Sequence, residues 1–244
     1  MPSATVWLLD GRLVDENDLA FFARQLGASE TRRYDRFLRG ERRLQFLLGR
    51  MLLRFAVANL LSLPPDTLDI VERVGNAPQL VLPDSQMPQP NFSLSHSRNW
   101  VACVVSAGAK LGVDIEVNDP TRDVLQISQL AFHPNEQLWL LRQLEFARLA
   151  AFYHLWCTRE ALYKLMCSLG RQTFLSPLIG TAGLFASQGS GWHRYTSPHT
   201  ALVLAICSDQ PLFALQKFEL IRFTRGDWLV ADRPFLAGHG SAMS

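Results

Sequence analysis

The sequence predicts an α+β protein organised as two subdomains of similar make-up. Two observations lead there. Each half holds one long helical pattern, FLLGRMLLRFAVANLLSL in the first and EFARLAAFYHLWCTREALYKLMCSLG in the second. Each half also holds several short strand-like runs bounded by turn residues. A turn at Gly108 divides the two sets and places the subdomains at residues 1–107 and 108–244, although no internal repeat is visible. The composition agrees: 244 residues are ample for a large core, and 48% hydrophobic with 19% charged residues fits an ordered globular chain.

In the first half, residues 4–9 read as a strand and Asp10-Gly11 as a turn. A helical pattern follows over residues 19–26, preceded by the capping candidates Asp15 to Asp18 and ended by Gly27. Residues 30–43 are strongly basic, with Arg32, Arg33, Arg36, Arg39, Arg42 and Arg43 interleaved with Tyr34, Phe37 and Leu38. In the long helix that follows, Arg50 and Arg54 share a face at i,i+4. Solvated helix surface is the plain account of any one of these arginines. The cluster as a whole points to an anion site, because guanidinium forks fit phosphate oxygens. Pro64-Pro65 stops the helix, residues 68–71 and 79–82 are short strand candidates around a turn at Gly75-Asn76-Ala77-Pro78, and longer strands fall at residues 92–97 and 100–106.

After Gly108 comes LGVDIE, residues 111–116. A strand points residues i and i+2 to one face, so Asp114 and Glu116 project together while Leu111, Val113 and Ile115 anchor the other face. Two adjacent carboxylates repel unless a cation meets them, which leaves an edge-strand charge pair and a hard-metal site as competing readings. The turn at Gly108 is expected to form a hairpin that brings the FSLSHS stretch near this acidic face. Helical segments are expected over residues 124–130 and from Pro134, then a dense apolar face over residues 138–144 and the second long helix. On that helix Glu160 and Lys164 stand at i,i+4, the spacing of a stabilising ion pair. A loop over residues 174–178 precedes strands at 181–185, 191–195, 201–207 and 215–223, an antiparallel set by their lengths. Trp228 and Phe235 then read as a packing patch before a flexible tail.

Several function classes drop out. A net charge of +2 is too small for a general nucleic-acid binder, and the arginine-rich segment lacks the aromatic motif of an RNA-binding module, which stays as the lowest-ranked alternative. Four cysteines, Cys103, Cys157, Cys167 and Cys207, are widely spaced in apolar surroundings and read as free thiols. The N-terminus has no leader pattern and no uncharged apolar stretch is long enough for a membrane span, so an unprocessed cytoplasmic protein with no membrane partner is expected. Asn91-Phe92-Ser93 matches a glycosylation sequon but lacks a secretion signal. Ser95 has no nucleophile-elbow context, which argues against a serine hydrolase.

FSLSHS, LGVDIE and WCTREALYKL, in that order and spacing, resemble the 4'-phosphopantetheinyl transferases of the surfactin-synthetase-activator type, over most of the chain. The resemblance implies a pseudo-twofold monomer of two α+β halves with coenzyme A in the cleft between them. It implies transfer of 4'-phosphopantetheine to a serine of an apo acyl or peptidyl carrier protein, with release of adenosine 3',5'-bisphosphate, in fatty-acid, polyketide or nonribosomal-peptide synthesis. By the same resemblance Asp114, Glu116 and Glu160 are Mg²⁺ ligands, Glu160 is the general base, and Lys164 contacts the pyrophosphate and protonates the departing phosphate. Ser95 and His96 match its coenzyme A phosphate contacts, with Arg33, Arg36, Arg43 and Arg50 as further candidates. Glu136 lies where some bacterial relatives have another acidic residue near the metal, although a solvated carboxylate at a helix start is its plainer reading. Met166, Leu169 or Phe174 could meet the carrier, although as residue types they suit a core better.

The chain departs from the family at three places. Ala77 stands where a phosphate-contacting lysine is usual, Gln45 stands at one matching position for a basic residue, and Arg159 replaces the lysine before the helix glutamate. These departures support an alternative, a catalytically weakened homologue that binds coenzyme A or a carrier protein without transfer.

Overall fold

The computed structural model describes residues 2–73, 77–171, 177–179, 186, 188–189, 191–197, 199–224 and 227–233. The chain is α+β and divides into two units. One takes in the chain as far as Ala109 and again from Leu212 through its last strands, and the other runs from Lys110 to Pro211. The sequence places the boundary at residue 107, whereas by this division the chain leaves the first unit after Ala109 and returns to it at Leu212.

In the first unit, β1 (Ser3–Asp10) lies within a five-stranded sheet. It pairs antiparallel with β5 (Trp100–Ser106), which pairs with β4 (Asn91–Ser97). Its other edge pairs parallel with β10 (Ala214–Thr224), which pairs with β11 (Asp227–Arg233). That parallel pair is why the late strands rejoin the first unit: the open edge of β1 has unpaired backbone groups, and β10 satisfies them. Sequence alternation marks β10 as a strand but cannot name its partner, and β11 extends through Trp228, which reads in the sequence only as packing.

Two short helices, α1 (Glu16–Ala23) and α2 (Ala28–Tyr34), lead to α3 (Gly40–Leu61). Asp15 caps α1 by accepting from the Asp18 amide at 2.8 Å. Helix α3 ends at Ser62 in the left-handed conformation, φ 55°, two residues before Pro64. It packs on the sheet through Leu48, Met51, Leu52 and Ala56 against Trp7, Leu9, Val101 and Cys103. Its length and mean hydropathy of 1.4 match a membrane span, yet 72% of that window is buried in the protein, so α3 is a core helix. The small ribbon of β2 (Asp69–Val71) and β3 (Gln79–Val81) completes the unit.

The second unit begins with β6 (Leu111–Val117). The hairpin expected at Gly108 is absent: β5 and β6 belong to different sheets, and β6 pairs antiparallel with β9 (Leu202–Ser208) instead. The sheet continues through β8 (Trp192–Ser197) to β7 (Gln188–Gly189). Helices α4 (Val124–Ala131), α5 (Pro134–Leu141) and α6 (Glu145–Ser168) follow β6. Phe152, Leu155, Ala161, Leu162 and Leu165 of α6 join Val203, Ala205 and Cys207 of β9 in the core, at the i,i+3 and i,i+4 spacing of one buried helix face. The apolar run over residues 138–144 is largely exposed at Leu138, Leu141 and Leu144, because α5 ends there and the chain turns into α6. Gly75 and Asn76 of the predicted turn, most of the loop from Phe174, the strand at 181–185, Phe235 and the tail lie outside the described residues.

Candidate active site

The acidic site rests on one close approach in the second unit. Gly112 faces α6 so closely that a Cβ built on it would lie 2.7 Å from the Leu165 amide nitrogen and 3.0 Å from the Ala161 carbonyl carbon. Only glycine permits that approach. Asp114 and Glu116 follow on the same face of β6 at the two-residue period, and Glu160 and Lys164 lie on α6 at either side of Ala161. Lys164 Nζ donates to Val113 O and to Asp114 Oδ1, both at 2.8 Å. The strongest partner of Lys164 is therefore a strand carboxylate 50 residues away and not the i,i+4 glutamate. Asp114 is buried, whereas Glu116 and Glu160 are half-buried.

The electrostatics bind these groups together. Burial pushes the Glu160 carboxyl up from its ordinary range, and the nearby Asp114 charge pushes it further, against the opposing pull of Lys164 and Arg159. Cys157 lies in the same neighbourhood, its thiol held well above the usual range by burial and then by Asp114 and Glu116. Cys157 thus stays a thiol, and the donors left are hard carboxylate oxygens, the set that suits Mg²⁺. Among the described residues no three His, Cys, Asp or Glu side chains stand together as a ready ligand set. The Lys164 ammonium rests on Asp114 instead, offsetting charge that a divalent cation would also offset.

Glu136, read in the sequence as a solvated helix-start carboxylate, is fully buried. It accepts Arg159 Nη1 on both oxygens, at 3.0 and 2.9 Å, the Leu178 amide at 2.8 Å and the His133 amide at 2.9 Å. With every contact a donor, it acts as a structural hub, and it takes up the Arg159 charge. Proline at the first turn and glutamate two residues later, a capping pattern, was the available signal for this role. Met166 is buried and Leu169 packs against the same core, so both serve packing, and Phe174 lies outside the described residues.

The first unit sorts the arginines. Arg50 and Arg54 are buried and face Glu30 and Glu72: Arg50 Nε donates to Glu72 Oε1 at 2.7 Å, Arg54 Nη1 to Glu30 Oε1 at 3.1 Å, and Arg33 pairs with Glu72. Burial lowers the Arg50 pKa while the two glutamates oppose that shift. Arg50 is thus a core ion-pair residue, a correction to its reading as a phosphate contact, and Arg33 is likewise engaged. The reason is desolvation: a helix buried nearly all round cannot hold a bare guanidinium. Arg43 lies over the Tyr34 ring at 4.4 Å with Asp35 at 3.9 Å, and Arg36 is exposed.

Ser95 and His96 are not brought to one face. They are neighbours in a regular strand, so they point oppositely, with Ser95 buried and His96 exposed. His96 meets Arg42 instead, whose Nη1 lies 3.4 Å from Nδ1 and 3.3 Å from Nε2 of the ring. Gln45 stands beside this pair. The sequence signal for Arg42 was its i,i+3 relation to Gln45, which places both on one face of α3.

Comparison with known proteins fits this geometry. Residues 14–108 match a family profile described as "4'-phosphopantetheinyl transferase, N-terminal", and residues 110–200 match the 4'-phosphopantetheinyl transferase superfamily. Relatives include the 4'-phosphopantetheinyl transferase psf-1 of Bacillus pumilus, 38% identical over 53% of this chain and 52% of its own length. The enzyme Sfp of Bacillus subtilis strain 168 is 31% identical over 53% of this chain and 54% of its own. HetI of Nostoc is 29% identical over 61% and 62%. The chain thus spans about half to two thirds of the length of the curated relatives it matches. Two consecutive family profiles, together with the carboxylate strand and the Glu–Lys helix, show that the chain belongs to the 4'-phosphopantetheinyl transferase superfamily, of the Sfp type.

Proposed function

We propose that this protein transfers 4'-phosphopantetheine from coenzyme A to a serine of an apo acyl or peptidyl carrier protein, giving holo-carrier and adenosine 3',5'-bisphosphate. One observation carries the reading: Asp114 and Glu116 on β6 share a face and a close helix contact with Glu160 and Lys164 on α6.

Asp114, Glu116 and Glu160 would hold Mg²⁺, which when bound supplies charge stabilisation at the phosphate oxygens. Glu160 takes the proton of the serine hydroxyl as the Oγ–phosphorus bond forms. Its raised pKa, caused by burial and Asp114, makes it a stronger base than an exposed glutamate. As the bond from phosphorus to the bridging pyrophosphate oxygen breaks, Lys164 gives that oxygen a proton. Lys164 is fixed for the task by the Val113 carbonyl and Asp114. Little covalent chemistry falls to the protein, so positioning and charge dominate.

The test is incubation with coenzyme A, Mg²⁺ and several apo carrier proteins, read by intact mass. Addition of the phosphopantetheine group supports the reading. Carriers that a control transferase modifies but this protein does not would refute it in favour of a binding-only homologue. Asp114→Ala and Glu160→Ala are each expected to lose transfer by a factor of about 100 or more while keeping the fold. Normal turnover in both would sink the mechanism.

A further inference from the structure

We infer that Tyr153 is a positioning residue: its hydroxyl clamps the chain just beyond Glu116 onto α6 and so fixes the Glu116 carboxylate in the acidic site. The inference rests on Glu116 being a Mg²⁺ ligand, as proposed above, but its test also reads the clamp with no metal present.

Strand β6 needs a second fixed point. Among the described residues its backbone ladder runs along one side, to β9, and ends at the pair of Val117 with Leu202. Glu116 is thus the last residue but one of an edge strand, where a ladder frays first. The close contact at Gly112 sets the strand against Ala161 and Leu165 at its other end. Glu116 lies roughly 13 Å of strand further on, at about 3.3 Å per residue, too far for that contact alone to fix its carboxylate.

Helix α6 supplies the second point from the same stripe that holds the first. Tyr153, Cys157, Glu160, Ala161 and Lys164 follow one another at helical spacing on one face. Lys164 and Ala161 meet β6 near Val113 and Gly112, and Cys157 Sγ lies 3.8 Å from the carbonyl of Val203, the cross-strand partner of Glu116. Tyr153 comes one turn earlier on the helix, which is further along the strand. It is fully buried, its ring edge-on to Phe152 at 5.3 Å, and its hydroxyl oxygen accepts the Asp119 amide at 3.0 Å. Asp119 then folds the next residues back: its Oδ1 accepts the Thr121 amide at 3.0 Å and the Thr121 hydroxyl at 2.6 Å, and its carbonyl accepts the Arg122 amide at 3.2 Å. Arg122 returns over the Tyr153 ring at 5.7 Å, and Asp123 caps α4 through the Gln126 amide at 3.0 Å. The connection from β6 to α4 is therefore wound on one phenol. A phenylalanine would fill the same space in the core, so the hydroxyl adds the hold on Asp119 and nothing else. Asp114 and Glu116 lie between the two clamps, and Glu116, three positions before Asp119, lies nearer the second. Tyr153 thus acts on Glu116 through the backbone.

The experiment compares Tyr153→Phe with the unaltered full chain; the ring stays in the core, so the variant keeps the fold. Amide hydrogen exchange without metal is expected to quicken about five- to tenfold over residues 117–123, the scale of one lost hydrogen bond, and to stay within about twofold elsewhere. Binding of Mn²⁺, an oxygen-seeking paramagnetic stand-in for Mg²⁺ followed by the electron-spin signal of the free ion, is expected to weaken about five- to tenfold. In carrier modification the Mg²⁺ concentration for half-maximal rate should rise by about the same factor, with kcat restored to within about threefold at saturating Mg²⁺. A merely structural tyrosine would lower the melting temperature and leave Mn²⁺ affinity and the Mg²⁺ requirement unmoved, and that result overturns the inference. Unchanged exchange over residues 117–123 also overturns it. Quickened exchange there in a protein that binds no Mn²⁺ even when unaltered would instead overturn the metal reading of Glu116 and leave the clamp itself standing.

Discussion

Gly112→Ala is the sharpest test of how the acidic site is assembled. The added methyl would lie 2.7 Å from the Leu165 amide nitrogen, 3.0 Å from the Ala161 carbonyl carbon and closer still to the oxygen of that carbonyl. All three are backbone atoms of α6, so no side chain can rotate aside, and strand and helix must part. Overpacking a core costs about 1–3 kcal/mol, and contact with immovable backbone puts this case at about 3 kcal/mol or more. For a chain of this size that is roughly 6–12 °C in melting temperature. The same movement carries Asp114 and Glu116 away from Glu160 and Lys164, and a displacement of about 1 Å costs about 100-fold in rate. Thermal unfolding and carrier modification, measured side by side, check both numbers. Activity should fall even at temperatures where the variant is fully folded. A variant with unchanged melting temperature and turnover would refute the claim that close strand–helix contact positions the site.

Four further outcomes follow from the same geometry. Glu136→Ala should destabilise by about 3–5 kcal/mol in chemical denaturation, because Arg159 and the Leu178 and His133 amides lose their acceptor; a loss below about 1 kcal/mol would deny it a structural role. Because the folded protein raises the Glu160 pKa, the native state binds more protons than the unfolded chain between the two values, so this group erodes stability as pH rises from the ordinary carboxylate range through the folded pKa. Glu160→Gln should therefore raise the metal-free melting temperature near neutral pH, with the gain fading on acidification, and a gain that grows toward acid would contradict the sign. Lys164→Met removes the ammonium from Asp114 Oδ1, so Mg²⁺ should raise the melting temperature more in the variant than in the parent, and a smaller rise would oppose the shared-oxygen account. Of the cysteines only Cys167 is exposed, so a thiol reagent should modify one site in the native protein and all four after denaturation.

Much of the acidic site is legible in the sequence because its spacings are local. The two-residue period puts Asp114 and Glu116 on one face, and the helical period does the same for Glu160 and Lys164. The partner of Lys164 is not legible, since Asp114 lies 50 residues earlier and the nearer glutamate competes for the assignment. The parallel pairing of β1 with β10 is hidden for the same reason: it joins residues more than 200 positions apart. Ser95 and His96 are a different case. Strand alternation alone separates them, and their adjacency in a motif is what draws both toward one ligand. Glu136 shows the reverse, where a helix-start pattern is visible but the burial that makes it a hub depends on α6 and residue 178.

The arginines show why a count of charges does not locate a binding surface. Arg42, Arg50 and Arg54 lie within four turns of one helix, and composition gives them equal weight. Their surroundings separate them. The helix sinks into the sheet after its first turn, and from there any cation must bring a carboxylate with it: Glu30 and Glu72 arrive from α2 and from just after β2, 24 and 22 positions from their partners. Removing either glutamate would strand a buried charge, so these pairs hold the unit together and leave no free guanidinium for a ligand. Arg42 sits before the helix becomes buried, where water can solvate it and Gln45 can hold it. Among these three arginines only Arg42 combines exposure to solvent with a restraining side-chain contact.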